Sequence, residues 1–228
     1  MTLIQQKYNY NALSRKETNG KRLYECPDGS KVPSVTTILS ATKSEESLAA
    51  LHNWRRAVGE RKAQDITTQA ANRGTRMHKY LEDHLNGYVL KESVSNPYAQ
   101  QSLNMAKIVI SQGLSKFNAF WGSEVPLYYP ELYAGTTDGI GVHENVECIF
   151  DFKQTNKPKT EDRVEDYYLQ LTAYSLAHNK VHGTNIRKGV ILMCSANLEY
   201  QEFILSPDKF NYWEDMWWNK VEKYYRDN

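Results

Sequence analysis

The fold of this chain is constrained most by one short run, ECIFDFK, from Glu147 to Lys153. Its aromatic and β-branched residues predict a β-strand, in which successive side chains point to opposite faces of a sheet. Cys148 and Phe150 then lie on a face that suits burial, while Asp151 and Lys153 lie together on the other. The run therefore predicts an apolar strand that carries a carboxylate and an ammonium group side by side.

The residues after position 97 alternate between helical and extended patterns. The expected helices cover 97–121 and 163–179, and a terminal helix follows Ser206-Pro207-Asp208. The expected strands cover 125–129, 134–142, 146–153, 189–194 and 199–205. This order predicts an α/β fold with a central mixed sheet flanked by helices.

The N-terminal residues 8–40 read as short strands joined by tight turns. Asn19-Gly20 and Asp28-Gly29 are the expected turns, because both dipeptides tolerate the positive φ that a hairpin requires. Residues 32–39 fit either an extended run or the entry to a helix. The pattern predicts a small β-rich segment ahead of the main sheet.

A helical pattern begins at Ser44 and continues to about residue 86. Gly59 and Gly74 are expected to divide it into successive helices. A length of 228 residues favours one domain. We expect that domain to comprise three parts, a β-rich segment (1–43), a helical insertion (44–90) and a core (97–228).

Composition narrows the possible cofactors and locations. The chain has three scattered cysteines, which predict no disulfide framework and cannot supply the four thiolates of an iron–sulfur cluster. No run approaches the ~18 apolar residues of a membrane helix, and the N-terminus lacks a secretory pattern. The simplest expectation is a soluble cytoplasmic protein without a membrane partner, in the host cytoplasm if a phage encodes it.

Basic residues are clustered, although the net charge is only +1. One cluster lies between Arg55 and Lys79, and the other lies between Lys153 and Arg163. Such runs are most often solvated faces, but two runs that flank a chemical motif favour contact with a polyanion. The candidate nucleic-acid contacts in these clusters are Arg55, Arg56, Arg73, Arg76, Lys79, Lys157 and Lys159.

A second carboxylate precedes the ECIFDFK strand, in the Asp138-Gly139 pair. If its strand pairs antiparallel with 146–153, Asp138 approaches Asp151. Two carboxylates, the main-chain carbonyl of Phe152 and waters would form the oxygen-rich shell that Mg²⁺ or Mn²⁺ prefers. Lys153 would position a water or offset developing charge. Glu124 is a possible further carboxylate from the neighbouring strand.

These motifs resemble those of the PD-(D/E)XK nuclease superfamily, in its RecB-like branch. Gly74 to Glu82 resembles the GxxxHxxLE motif of that branch, and Gln170 to Tyr174 resembles its QxxxY motif. The resemblance implies a restriction-endonuclease-like core. It also implies His78 as a metal ligand and Gln170 as a catalytic residue.

A closer resemblance is to the mitochondrial genome-maintenance exonuclease family and its phage and bacterial relatives, from about residue 32 to the C-terminus. It rests on three ordered segments, Val32-Pro33-Ser34-Val35-Thr36, Asp151-Phe152-Lys153 with Lys157-Pro158-Lys159, and Tyr212-Trp213. Gln154 departs from the threonine expected after D-x-K. The likeness implies an exonuclease that prefers single-stranded DNA with free ends, in replication, repair or recombination. Ser34 and Tyr174 become DNA contacts by the same resemblance.

Other functions remain open at this stage. A structure-specific endonuclease or junction resolvase of the same superfamily has the same motifs. A non-catalytic DNA-binding protein would keep the fold but not the full set of Asp138, Asp151 and Lys153. An ordinary α/β protein with a surface ion pair would not need His78 and Gln170. The implied end preference would come from the helical insertion, if it arches over the site so that only one strand can thread.

Overall fold

A computed structural model of the chain describes residues 2–18 and 21–228. Its N-terminal part is an antiparallel sheet of β1 (Ser14–Thr18), β2 (Lys21–Glu25) and β3 (Lys31–Pro33). The turn expected at Asn19-Gly20 lies outside the described residues. The second expected turn is present between β2 and β3, where the Asp28 carboxylate accepts the Ser30 N–H at 2.9 Å.

The segment 32–39 contains both of the structures that its sequence allows. The extended run ends at Pro33, and helix α1 (Val35–Ala41) begins directly after it. Ser34 separates the two, and its hydroxyl oxygen accepts the Thr37 N–H at 3.0 Å. This cap satisfies one of the free N–H groups at the start of a helix.

The helical region contains two helices, α2 (Glu45–Val58) and α3 (Glu60–Leu85). Ser44 caps α2 as expected, and Gly59 separates the helices with a φ of +89° that an L-residue rarely adopts. The expected break at Gly74 is wrong, because α3 continues through it for 26 residues. A Cβ at Gly74 would lie 3.2 Å from Gln154 Cγ, so the glycine instead allows close approach to the sheet.

The next helix, α4, spans Pro97–Gln112 and is shorter than expected. The expected extension to residue 121 is wrong, because β4 (Phe117–Tyr129) already begins there. Phe117 and Phe120 have a helical spacing, but bulges in β4 place both rings on one face, with centroids 5.1 Å apart. The spacing therefore reflects an irregular strand.

The central sheet has the order β4-β5-β6-β7-β8. The remaining strands are β5 (Tyr133–His143), β6 (Val146–Thr155), β7 (Lys188–Ser195) and β8 (Tyr200–Leu205). Among the five described strands of this sheet, only β6 and β7 run parallel to each other, and α5 (Glu165–His182) connects them as a crossover. The other three strand pairs of the sheet are antiparallel, so the predicted mixed α/β sheet is confirmed.

Helices cover both faces of this sheet and create two apolar cores. On one face, α1, α5 and α6 (Phe210–Asp227) pack around residues such as Ile149, Ile191 and Trp217. On the other face, α3 and α4 pack over Phe150 and Phe152. Both sides of β6 are therefore buried. No helix among the described residues is long and apolar enough to cross a membrane.

Candidate active site

Two acidic residues meet where β5 and β6 begin to separate. The strands pair antiparallel, with Gly139 opposite Phe150, so Asp138 and Asp151 are the next facing positions. This pairing confirms the arrangement predicted from the sequence. Asp138 is 8% exposed and Asp151 is 4% exposed. Buried carboxylates are costly unless another group compensates their charge, so the surroundings of both residues decide what the site can do.

His78 reaches this position from the second half of α3. Met77 and Leu81 are fully buried against the sheet and fix that part of the helix. His78 Nδ1 lies 3.0 Å from Asp138 Oδ1. The other oxygen of Asp138 accepts the Phe152 main-chain N–H at 2.6 Å. Asp138 therefore joins α3 to the strand that carries Asp151 and Lys153.

Glu124 adds a third acidic residue from β4. Its neighbours Ser123 and Val125 pair with Gly139 and Thr137, which places Glu124 opposite Asp138. Its φ of +51° departs from the extended conformation. Ligand atoms of His78, Glu124 and Asp138 all lie within 4.8 Å of one another. The sequence suggested Glu124 only as a possible addition, and the pairing of β4 with β5 brings it to the site.

Lys153 lies on the opposite side of the two aspartates, between β6 and α5. Its ammonium group forms an ion pair with Asp151 Oδ2 and donates a hydrogen bond to Gln170 Oε1 at 3.1 Å. Gln170 Nε2 in turn donates to the Tyr174 hydroxyl at 3.4 Å. The Tyr167 ring covers Lys153, with 5.0 Å from Nζ to the ring centroid. These contacts hold the ammonium group in one position.

Burial and charge shift the pKa values of the clustered groups. Burial disfavours the charged form of Asp138, but His78, Lys153 and the Phe152 N–H together outweigh burial and hold the pKa of Asp138 below its ordinary value. Burial raises the pKa of Asp151 to about 6, despite the neighbouring Lys153. Glu124 remains exposed, but partial loss of solvent in the cleft and then the charge of Asp138 raise its pKa to about 7. Loss of solvent, together with repulsion among the acidic groups, therefore disfavours full ionisation near neutral pH.

A divalent cation would relieve this repulsion. Carboxylate oxygens are the ligands that Mg²⁺ and Mn²⁺ prefer, and imidazole is a common ligand of transition metals. The His78, Glu124 and Asp138 cluster supplies both types, and Asp151 adds a carboxylate beside it. The donor set fits a divalent metal.

An open cleft of about 630 Å³ leads to the cluster. One wall is a face of α3 that includes Gly74, Thr75 and His78, and the other includes Glu124 and Lys153. Lys79 also lines the cleft and forms ion pairs with Glu82 and Asp83 at 3.2 Å and 2.9 Å. A polymer could therefore reach the acidic groups from solvent.

The remaining predicted contacts range from exposed to buried. Arg55 and Arg56 are exposed on α2, and Lys157 is exposed beyond β6. Lys159 donates to the Tyr167 hydroxyl at 2.8 Å. Arg73 is only 9% exposed and Tyr174 only 3%. Arg76 is half-buried beside α4, and Ser34 is engaged in the α1 cap.

Sequence reasoning did not assign a role to Gln154, Asn156 or Tyr167. Gln154 Oε1 accepts two hydrogen bonds from Arg73, at 2.9 Å and 2.7 Å, and Asn156 Oδ1 accepts a third. The sequence signal for this contact was Gln154 itself, which stands where a threonine is expected after D-x-K. Its amide meets an arginine 81 positions away. Tyr167 had a weaker signal, as the residue one turn before Gln170 on α5.

Two curated proteins resemble the chain, and no protein-family model matches it. Mitochondrial genome maintenance exonuclease 1 of Xenopus tropicalis is 24% identical over 207 residues, which cover 85% of this chain and 57% of that protein. The protein of the same name from Homo sapiens is 25% identical over 206 residues, covering 85% and 58%. The chain therefore spans less than two thirds of either relative. This weak homology supports a nuclease family.

Proposed function

We propose that the chain is a divalent-metal-dependent deoxyribonuclease of the PD-(D/E)XK superfamily, in its RecB-like branch. Its reaction is hydrolysis of DNA phosphodiester bonds, and its preferred substrate is single-stranded DNA with free ends. The observation that carries the proposal is the convergence of Asp138, Asp151, Lys153, His78 and Gln170 at one end of the central sheet. The exonuclease names of both distant relatives support the same class of reaction.

In this proposal, His78, Asp138, Asp151 and the main-chain carbonyl of Phe152 hold Mg²⁺ or Mn²⁺, with Glu124 as a further carboxylate. A bound divalent ion supplies a Lewis acid that polarises the phosphoryl group and acidifies a water. The interaction between Asp138 and His78 orients the imidazole and keeps the carboxylate ionised.

Lys153 acts on the reacting groups, and Gln170 positions Lys153. Burial opposes the charge of Lys153, but Asp151 and Asp138 outweigh it and raise the pKa of Lys153. The side chain therefore remains an ammonium group, a hydrogen-bond donor suited to positioning a water or stabilising charge on the phosphate. Gln170 fixes the direction of that ammonium group through the 3.1 Å hydrogen bond, and Tyr174 positions Gln170.

The preference for a single strand is assigned to the helical region. None of the α2 residues is buried, and Trp54 is 37% exposed beside Arg55 and Arg56. A basic helix with an exposed aromatic ring can contact phosphates and stack on bases without reading sequence. We assign α2 and the first half of α3 to guiding one strand into the cleft.

The experiment is a digestion assay with end-labelled linear single-stranded DNA, in Mg²⁺, in Mn²⁺ or in a chelator. Linear, circular and duplex substrates of equal length are compared in parallel. Degradation of the linear strand with either metal, and not with chelator, supports the proposal. Rapid cleavage of circles would identify an endonuclease instead. Metal-independent binding without any cleavage would favour a non-catalytic DNA-binding protein.

A further inference from the structure

Helix α3 presents two faces to solvent-filled cavities, and the two faces have the same residue spacing. The first lines the catalytic cleft with Ala71, Gly74, Thr75 and His78. The second lines a separate cavity with Gln69, Asn72, Arg73 and Arg76. Both sets follow the spacing i, i+3, i+4 and i+7, which places each set on one side of a helix. One helix thus separates the cleft from the cavity.

The second cavity, which we name the arginine pocket, has a volume of about 210 Å³. Tyr98 and Gln101 of α4 form its far wall. A water occupies about 30 Å³ in the liquid, so a tetrahedral oxyanion with bridging waters fits this volume. The lining is polar and includes two guanidinium groups.

The positive charges of the arginine pocket have no carboxylate partner among the described residues. Within the part of the chain that the structure describes, Arg73 donates only to the neutral side-chain oxygens of Gln154 and Asn156. Arg76 donates from Nε to Ser102 Oγ at 3.4 Å, and within the described chain its two Nη atoms have no protein acceptor. Burial and then the charge of Arg76 lower the pKa of Arg73. An anion between them would relieve this repulsion.

We propose that the arginine pocket binds a phosphate group of the nucleic-acid strand cleaved in the adjacent cleft. This inference rests on the proposed function for the identity of the strand. Planar guanidinium groups match phosphate geometry, and the amides of Asn72 and Gln101 add neutral donors. Because a helix is about 10 Å across, one strand can pass over α3 from cleft to pocket.

The same pocket is connected to the catalytic strand. Arg73 holds Gln154, which follows Lys153 directly in β6. A phosphate in the pocket would therefore hold the nucleic-acid strand. Through Arg73 and Gln154 it would also support the position of Lys153. The phosphate has two possible sources, a terminal monoester or a diester of the backbone, and both have the same anionic oxygens.

The test measures DNA affinity without hydrolysis, by fluorescence anisotropy in chelator. Three internally labelled single strands of one sequence carry a 5′-phosphate, a 3′-phosphate or no terminal phosphate. The variants are Arg76→Gln and Asn72→Asp. The second substitution places a carboxylate one turn from Arg76, on the exposed side of α3. Arg226→Gln on α6 is the matched control, and circular dichroism checks that each variant folds.

We expect Arg76→Gln to weaken binding roughly tenfold at low salt and to reduce the salt-dependence slope by about 1. Loss confined to one phosphorylated end identifies a terminal phosphate, and equal loss for all three strands identifies a backbone phosphate. The phosphate-site proposal is wrong if folded Arg76→Gln and Asn72→Asp both bind DNA with the same affinity as the Arg226→Gln control.

Hydrolysis is measured separately in Mg²⁺ or Mn²⁺. A wild-type chain that shows the pocket-dependent binding but never cleaves DNA would refute the nuclease proposal and leave the phosphate site. A chain that cleaves DNA while both pocket variants bind normally would refute the phosphate site alone.

Discussion

His78 and Asp138 lie 60 positions apart in the sequence, yet His78 Nδ1 is 3.0 Å from Asp138 Oδ1. Asp138 uses its second oxygen to bind the Phe152 N–H, so one carboxylate connects α3, β5 and β6. Burial would lower the pKa of His78, but the charge and hydrogen bond of Asp138, together with the charge of Asp151, outweigh burial and raise it. The resulting site is the basis of the following predictions.

Asp151→Asn should reduce DNA hydrolysis at least about 100-fold, because it removes a buried charge that we propose as a metal ligand at the reaction site. Binding of single-stranded DNA in chelator should stay within a few fold of wild type. The measurements are digestion rates and anisotropy. Asp162→Asn, at an exposed position before α5, is the control. Near-normal hydrolysis by pure Asp151→Asn would exclude Asp151 from the site.

Lys153→Ala should retain metal binding and lose most turnover. The variant removes the ammonium group beside Asp151 but none of the carboxylates. Calorimetric titration with Mn²⁺ measures the first property, and single-turnover digestion measures the second. Lys157→Ala, an exposed lysine four residues further on, should lose only DNA affinity. Unchanged single-turnover rates in Lys153→Ala would remove it from the mechanism.

Metal affinity should fall as the pH is lowered from 8 to 5. The pKa of Asp151 is about 6 and that of Glu124 about 7, and only the ionised forms bind a cation well. Protons therefore compete with the metal below these values, and binding at pH 6 should release protons. Mn²⁺ titrations in buffers of different ionisation enthalpy measure both effects. An affinity that is constant over this range would contradict the assigned ligands.

His178 should make the fold sensitive to acid. Its side chain is fully buried and contacts Tyr10 Oη at 3.2 Å and Thr184 Oγ1 at 2.7 Å, and burial lowers its pKa to about 3. Since an unfolded histidine has a pKa of about 6.5, the unfolded state binds more protons between these values. Stability from neutral His178 is therefore complete above pH 6.5 and decreases as the pH falls towards 3.

Urea unfolding of wild type and His178→Gln between pH 7.5 and 4 tests the direction of this pH dependence. Gln cannot titrate, so the variant should start less stable and lose less stability as the pH falls. His52→Gln, at an exposed position of α2, should keep the wild-type slope. If His178→Gln also shows the wild-type slope, His178 does not cause the acid sensitivity.

Much of the site could be predicted from local patterns. Strand alternation placed Asp151 and Lys153 together because side-chain direction in a strand depends only on position. The approach of Asp138 was predicted on the condition that its strand pairs antiparallel with 146–153, and β5 and β6 do pair in this way. The helical spacing of Gln170 and Tyr174 placed them on one face of α5, and both lie near Lys153.

Other features depended on contacts between distant segments. Gly74 predicted a helix break, yet it lies inside α3, where the absence of a side chain lets the helix approach Gln154 closely. The Phe117 and Phe120 spacing suggested a helix, but bulges in β4 produce the same spacing on a strand. Local propensity does not record such packing, so these two predictions were wrong.

The sequence by itself therefore determined the strand that carries Asp151 and Lys153, the mixed α/β order and the candidate acidic set. Only the tertiary structure decided that Glu124 faces Asp138 and that Arg73 is buried against Gln154. The physical reason is that periodicity fixes the face on which a side chain lies. Which distant segment meets that face depends on sheet pairing and helix packing.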